Sequence, residues 1–195
     1  MRIVLLGAPG SGKGTQAQAI VEKYHITDIA TGDLLRAEIA AGTPLGLQAK
    51  PLMEAGEFVP DEIVVGMIKE HLAKDDTSNG FLLDGFPRDL RQAEALDSML
   101  TKINQPLDVV LFFKVDYDEI MTRLLARHRM DDTEETIRHR LEIYEAKTAP
   151  LIDRYKGKGL IREVNGIGEI TEVSARISAI LDEITANLST SRQQN

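Results

Sequence analysis

The sequence predicts an α/β fold with a mostly parallel sheet. Strand-like apolar runs lie at residues 3–6, 81–83, 109–113 and 160–164. Helical apolar patterns separate these runs, and strands that alternate with helices are typical of parallel α/β sheets. Glycine-rich and polar segments directly follow the strands, where ligands bind in such sheets. We therefore expect a ligand site at the carboxyl ends of the strands.

Length and composition limit the class of protein. With 195 residues, of which 43% are hydrophobic and 28% charged, the chain can form one main domain over residues 1–195. No apolar run approaches the roughly 20 residues that span a bilayer, so we expect a soluble, cytoplasmic protein without a membrane partner. The chain has no cysteine, which excludes a disulfide and a thiolate zinc site. Its net charge of −8 argues against nucleic acid as a partner.

A glycine-rich loop follows the first strand. Residues Gly7 to Thr15 read Gly-Ala-Pro-Gly-Ser-Gly-Lys-Gly-Thr and precede a helical pattern at residues 12–24. Glycines let backbone N–H groups turn inward, a helix N-terminus favours anions, and Lys13 adds a full positive charge. These features predict a nucleoside triphosphate site. Gly14 stands where the general motif has a metal-ligating hydroxyl, so another group must serve the magnesium ion.

Two stretches fit the sheet pattern poorly. Residues 31–59 carry helical patterns without a strong strand, and residues 126–132 form a short, polar, arginine-rich turn. We interpret both as insertions over the cleft. Pro51 falls inside a helical pattern at residues 44–55, and an internal proline removes a backbone hydrogen bond. We therefore predict a kink or a break near Lys50.

Asp84 is the candidate group for the metal. It closes the apolar strand at residues 81–83, where P-loop enzymes place an acid for magnesium. Without a hydroxyl at position 14, this carboxylate would reach the ion mainly through bound water, which suits the hydration of Mg²⁺. A strand-end aspartate that only begins a turn is the simpler alternative. The segment that follows, Gly85-Phe86-Pro87-Arg88, makes that alternative less attractive.

Arginines form a second candidate set. A guanidinium suits phosphate oxygens, and a transferred phosphoryl group needs fixed cations. Arg123 and Arg127 lie one turn apart on a predicted helix, which costs a few tenths of a kcal/mol unless an anion lies between them. The dipole at the end of that helix offsets part of the cost. Exposed surface arginines are the alternative reading of the whole set, which comprises Arg36, Arg88, Arg123, Arg127, Arg129 and Arg140.

Two absences narrow the class of P-loop protein. The sequence has no Asn-Lys-x-Asp segment for reading guanine, and no glutamate beside Asp84 to activate water. Both absences argue against a GTPase or a hydrolytic motor. A kinase with a phosphate acceptor needs no general base, because the acceptor oxygen is already ionised near neutral pH. Alignment and charge stabilisation would then supply the catalysis.

The combined motifs resemble those of adenylate kinases of the short-lid type, which belong to the nucleoside monophosphate kinases. The matching residues are 7–15, 31–36, 84–88, Gln92, Arg123, Arg127, 129–132 and Arg140. The resemblance implies the reaction ATP + AMP ⇌ 2 ADP with Mg²⁺, catalysed by a monomer. It also implies a three-layer P-loop kinase fold with a five-stranded parallel sheet in the order 2-3-1-4-5. An AMP-binding segment at residues 30–59 and a short lid at residues 126–132 would complete the fold.

The same resemblance assigns roles to individual residues. The implied catalytic residues are Lys13, Asp84, Arg88, Arg123, Arg129 and Arg140, with Asp84 holding the metal through water. The implied ATP-binding residues are Gly10, Ser11, Gly12, Lys13, Gly14, Thr15, Arg123, Arg127 and Gly168. The implied AMP-binding residues are Thr31, Arg36, Glu57, Phe58, Val59, Gly85, Phe86, Pro87, Arg88, Gln92, Arg129 and Arg140.

Gln92 suits its implied role, because an amide can donate to and accept from an adenine edge as a pair. Glu57 is acidic where AMP would contact the backbone, which requires its side chain to point outward. The lid is short, with a single residue between Arg127 and Arg129.

The sequence is also compatible with two other functions. A kinase for UMP or CMP could use the same scaffold, although related pyrimidine kinases typically carry alanine at the position of Thr31. A nucleotide-binding module without turnover is the second alternative, and the presence of Lys13, Asp84 and the arginines argues against it.

Overall fold

A parallel five-stranded sheet forms the centre of the computed structural model, which describes residues 1–73, 77–127 and 133–192. Its strands run in the order β2-β3-β1-β4-β5, and every pairing is parallel. The predicted fold and strand order are confirmed. The strands are β1 (Arg2–Leu6), β2 (Thr27–Ala30), β3 (Phe81–Asp84), β4 (Val109–Lys114) and β5 (Ile161–Asn165).

Helices cover both faces of this sheet. A π-helical turn at Tyr144–Thr148 lies between the helices at Glu134–Ile143 and Pro150–Gly157. Within the described ranges, none of the helices is long and apolar enough to cross a membrane. The helices are α1 (Lys13–Tyr24), α2 (Thr31–Ala40), α3 (Pro44–Ala55), α4 (Asp61–Leu72), α5 (Leu90–Lys102), α6 (Tyr117–Arg127), α7 (Glu134–Ile143), α8 (Pro150–Gly157) and α9 (Ile170–Arg192).

The alternation of side chains along β1 explains the three layers. Val4 and Leu6 belong to a buried cluster with residues of α4, α5 and α8. Ile3 and Leu5 belong to a second cluster with residues of α1 and α9. Successive side chains of a strand point to opposite faces, so an uninterrupted apolar strand needs helices on both sides. The layers leave the carboxyl ends of the strands open for a site.

Of the kink or break predicted near Lys50, the break is wrong. The helix runs without interruption from Pro44 to Ala55, with Pro51 inside it. Proline removes the hydrogen bond to the carbonyl four residues earlier, which belongs to Leu47. Leu47 and Pro51 are both exposed, so water can satisfy that carbonyl. The side chain of Thr43 caps the helix by accepting a hydrogen bond from the Gly46 N–H at 3.0 Å.

Candidate active site

A cleft of about 850 Å³ opens at the carboxyl ends of the strands. The glycine-rich loop lines one side, and the residues that follow β2 and β3 line the other. Most residues singled out from the sequence lie in its wall. These are Gly10, Ser11, Gly12, Lys13, Gly14, Thr15, Thr31, Arg36, Glu57, Phe58, Val59, Asp84, Gly85, Pro87, Arg88, Gln92, Arg123, Arg140 and Gly168.

Among the described side chains, one predicted residue does not line this wall. The Phe86 side chain is fully buried and belongs to the same apolar cluster as Leu83 and Ala93. Its predicted contact with AMP is therefore not supported for the side chain. Arg129 lies outside the described residues, as do the side chain of Arg127 and most of the predicted lid, residues 128–132.

The glycine-rich loop presents a helix end to the cleft. Gly12 precedes α1 with a φ of 93°, a left-handed conformation that suits glycine, and no side chain caps the helix there. The Nζ of Lys13 donates to the carbonyl oxygens of Gly7 at 2.7 Å and Ala8 at 2.8 Å. It also lies 3.2 Å from the Ser11 hydroxyl oxygen. The loop therefore combines the positive end of a helix with an ammonium group, which favours a bound anion.

Arg88 is held in place on the opposite side of the cleft. Its Nε donates to the Gly85 carbonyl oxygen at 2.8 Å, and its guanidinium lies 5.3 Å from the centre of the Phe58 ring. The Thr148 hydroxyl donates to the Arg88 carbonyl oxygen at 2.7 Å. These contacts fix both the backbone and the side chain, so the guanidinium has a defined position.

The charges around Arg88 point to an anionic ligand. Burial lowers the pKa of the Arg88 guanidinium; Arg140 and Arg36 lower it further, whereas Asp84 raises it. Arginine nevertheless stays protonated in proteins, so cations repel one another here. An anion between them would relieve the repulsion.

Arg36 and Arg140 connect this cluster to neighbouring helices. Arg36 pairs with the carboxylate of Asp33 one turn earlier in α2. The Nη2 of Arg140 lies 3.4 Å from the carbonyl oxygen of Met53 in α3. Both guanidinium groups line the cleft. Arg36 belongs to the segment at residues 30–59, and Arg140 contacts that segment at Met53.

Glu57 turns its charge toward α7. One carboxylate oxygen lies 2.7 Å from Nε2 of His139, and both side chains are partly exposed. This contact accounts for an acidic residue beside a cluster of arginines. The contact with His139 agrees with the outward orientation that we expected for the Glu57 side chain.

Arg123 lies beside the glycine-rich loop. Its Nε donates to Glu119 at 2.7 Å, and its Nη2 donates to the Gly166 carbonyl oxygen at 3.0 Å. A methyl group on Gly12 would lie 3.5 Å from Nη1, which shows how near this cation is to the loop. Glu119 was not singled out from the sequence, although its spacing of four residues from Arg123 is typical of a helical ion pair.

Asp84 faces the end of the glycine-rich loop. A methyl group on Gly14 would lie 3.5 Å from its Oδ2, so the carboxylate occupies the space beside the missing hydroxyl. Within the described ranges, no cluster of three or more His, Asp or Glu side chains could hold a metal. Magnesium commonly binds one or two carboxylates together with substrate phosphates and retained water. A single carboxylate in this position fits that type of site.

Gly85 and Thr31 shape the floor of the cleft. The Thr31 hydroxyl donates to the Asp84 carbonyl oxygen at 3.2 Å. Gly85 has a φ of 80°, and a methyl group there would lie 2.6 Å from the Thr31 hydroxyl oxygen. A larger residue at position 85 would therefore fill the space that these groups leave open.

Sequence reasoning missed Tyr144 and Thr148, which also line the cleft. Both lie in the π-helical turn, a feature that is often found at functional sites but has no simple sequence signature. Burial raises the pKa of Tyr144 to about 12, so its phenol stays neutral near pH 7. It is therefore not a candidate base at that pH.

Comparison with known proteins identifies similar chains over nearly the whole length. A model of the adenylate kinase family matches residues 5–160. The chain is 50% identical to an adenylate kinase of Thermodesulfovibrio yellowstonii, across 94% of this chain and 100% of the relative. It is also 50% identical to an adenylate kinase of Stenotrophomonas maltophilia, across 93% of this chain and 99% of the relative. An adenylate kinase of Clostridium botulinum is 47% identical, across 93% and 98% of the two chains.

Proposed function

The chain belongs to the adenylate kinase family of ATP:AMP phosphotransferases, and we propose that opposite sides of its cleft bind the two nucleotides of that reaction. The reaction is the reversible transfer of a phosphoryl group from ATP to AMP, which gives two ADP. The observation that carries the proposal is that one cleft has the glycine-rich loop on one side and an arginine cluster, Arg36, Arg88 and Arg140, on the other. The names of the relatives favour AMP over UMP or CMP as the acceptor.

ATP binds on the side of the glycine-rich loop. Backbone groups of residues 10–15 and the Lys13 ammonium hold its phosphates, since a helix N-terminus and a cation both attract anions. Arg123 adds a further cation at the edge of the loop, and Arg127 is assigned the same role by resemblance. The backbone of Gly168 contacts the adenine.

AMP binds on the side of the arginine cluster. Arg36 and Arg88 hold its phosphate, because a guanidinium forms two parallel hydrogen bonds to such a group. Thr31, Gln92, Gly85 and the backbone of residues 57–59 surround the base. Arg140, with Arg129 by resemblance, lies between the two nucleotides and stabilises the charge on the transferred group.

Magnesium accompanies ATP and would be held by Asp84, largely through water. The ion would neutralise charge on the phosphates, which is its usual contribution to phosphoryl transfer. No side chain has to remove a proton from AMP, because its phosphate oxygen is already ionised. The protein aligns the donor and the acceptor and stabilises the charge on the transferred group.

Residues 30–59 are proposed as the AMP-binding segment and residues 126–132 as a short lid. The first segment contains α2 and α3, which present Thr31, Arg36 and Met53 to the cleft. The active form is proposed to be a monomer, as the family resemblance implies.

A bisubstrate inhibitor tests whether one cleft holds both nucleotides. A molecule with two adenosines joined by five phosphates should compete with ATP and also with AMP in steady-state kinetics. Both patterns are expected because the inhibitor would occupy both sides of the cleft. Competition with only one of the two substrates would contradict the proposed division of the site.

A further inference from the structure

Gln92 is held between two groups whose chemistry dictates the orientation of its amide. Its Oε1 accepts a hydrogen bond from the backbone N–H of Arg88 at 2.8 Å. Its Nε2 donates to a carboxylate oxygen of Asp61 at 2.7 Å. A backbone N–H can only donate, and an ionised carboxylate can only accept. A flipped amide would therefore lose both hydrogen bonds. It would place its NH2 group against the Arg88 N–H and its oxygen against the Asp61 carboxylate.

Asp61 performs this role from outside the cleft wall. It is the first residue of α4, whereas Gln92 lies in the first turns of α5 and lines the cleft with 1% of its surface exposed. The backbone N–H of Gln92 is also fixed, since it donates to Asp89 at 2.8 Å. Main chain and side chain are thus both held, so the amide presents one fixed face.

We propose that Asp61 is a positioning residue that sets the choice of base in the acceptor by fixing the Gln92 amide. After the two contacts above, the amide has one N–H and one oxygen lone pair to spare among the described residues. Adenine presents an acceptor at N1 and a donor at its exocyclic amine, which match that pair. Hypoxanthine and guanine present a donor at N1 and an acceptor at C6, so they match only the flipped amide. This inference rests on the proposed binding of AMP beside Gln92.

The fixed polarity of the Gln92 amide favours rejection of purines with an oxygen at C6. A site built to hydrogen-bond its substrate rejects a mismatched analogue strongly, because its buried polar groups are then left unpaired. Without Asp61, only the Arg88 N–H would oppose the flip. Discrimination should weaken, although it should not vanish.

Steady-state kinetics with AMP and IMP as acceptors tests the proposal. Asp61→Asn keeps the size of the side chain but lets its amide accept or donate. We expect this variant to lower the ratio of kcat/KM for AMP to that for IMP by about tenfold, the effect typical of one hydrogen bond to a charged group. The KM for AMP should rise more than kcat falls, and the KM for ATP should stay unchanged.

Glu62→Gln is the matched control. Glu62 is the next residue of α4, is exposed, and adds the same charge to the first helical turn. If Asp61 merely stabilised the start of α4, both variants would lower the melting temperature and leave the AMP-to-IMP ratio unchanged. Asp61→Ala provides a second variant should Asp61→Asn fail to fold.

A double variant separates this inference from the proposed function. In a Gln92→Leu background, Asp61→Asn should leave the ratio unchanged, because the amide it positions is gone. A lowered ratio for Gln92→Leu with an unaltered ratio for Asp61→Asn would overturn the role of Asp61 alone. Wild-type enzyme that does not phosphorylate AMP would instead overturn the proposed function.

Discussion

Arg88 shows how distant parts of the chain define one functional side chain. Its guanidinium contacts Gly85 and Phe58, while Thr148 anchors its backbone. Because these contacts come from three separate segments, the position of the cation depends on the whole fold. Its lowered pKa reflects burial first and the neighbouring cations second. Such a preorganised cation can stabilise charge on a transferred phosphoryl group without further rearrangement.

Removal of this cation should therefore be costly. We expect Arg88→Ala to lower kcat/KM for AMP by about 10³-fold, as for comparable cations in phosphoryl transfer. Arg138→Ala is the control, since Arg138 is an exposed arginine that pairs with Glu134 one turn away. Coupled assays of ADP formation measure both variants. Near-normal activity of Arg88→Ala would remove Arg88 from the site.

Site residues that are neighbours in the sequence were easier to predict than residues that contact the site from distant segments. The glycine-rich loop could be placed at the cleft from the sequence, because its nine residues are contiguous and its glycines have a local steric reason. Thr148 and Asp61 were missed because they reach Arg88 and Gln92 from 60 and 31 residues away. The burial of the Phe86 side chain was not predicted, because a motif shows which residues follow a strand but not which of them packs into the core.

At the scale of elements, α2 and α3 form a tightly packed pair. Gly46 in α3 is buried against α2, and a methyl group there would lie 2.2 Å from the Glu38 carbonyl oxygen. A backbone atom cannot move aside as a flexible side chain could. Close packing, rather than an unusual backbone conformation, therefore requires glycine at this position.

Two glycine substitutions test this packing. Alanine normally stabilises a helix relative to glycine by up to about 1 kcal/mol. Gly46→Ala should nevertheless destabilise the protein by about 1–3 kcal/mol, because the added methyl group overpacks the interface. Gly66→Ala in α4 is the control, since a methyl group there would meet no described atom within 4 Å, and it should stabilise. Urea unfolding measures both; equal effects would contradict the packing account.

The elements themselves were predicted unevenly from the sequence. Strands β1, β3 and β4 have uninterrupted apolar runs because helices cover both of their faces. Strand β2 was missed because Ile29 is its only fully buried apolar side chain. The break at Pro51 was wrong because solvent exposure lets water replace the lost hydrogen bond.

At the scale of the whole molecule, an ion-pair network fastens α8 to α5. Asp97 lies 2.6 Å from Arg154 and 2.5 Å from Lys158. Burial raises the pKa of Asp97, but hydrogen bonds from Lys158 and Arg154 outweigh it and leave the pKa below its usual range. A folded-state pKa below the unfolded value means that ionised Asp97 stabilises the folded protein above the unfolded pKa of about 3.9. That stabilisation is lost as the pH falls through the folded value.

Asp97→Asn should therefore lower the free energy of unfolding at pH 7 by about 1–2 kcal/mol. The difference from wild type should begin to shrink as the pH falls below about 4, where Asp97 protonates in the unfolded chain, and should disappear below the lower folded-state pKa. Glu94→Gln is the control, since Glu94 is exposed and its nearest oxygen lies 3.9 Å from Arg154. Denaturant unfolding across the pH range measures both. A difference that stays constant with pH would contradict the electrostatic explanation.

The whole cleft, with the glycine-rich loop facing Arg36, Arg88 and Arg140, is the proposed site of phosphoryl transfer, and the names of the relatives favour AMP as the acceptor. The most direct test measures kcat/KM for phosphoryl transfer from ATP to AMP, UMP and CMP with purified enzyme and Mg²⁺, following ADP formation. We expect AMP to be the preferred acceptor by a wide margin. A preference for UMP or CMP, or the absence of transfer to AMP, would contradict it.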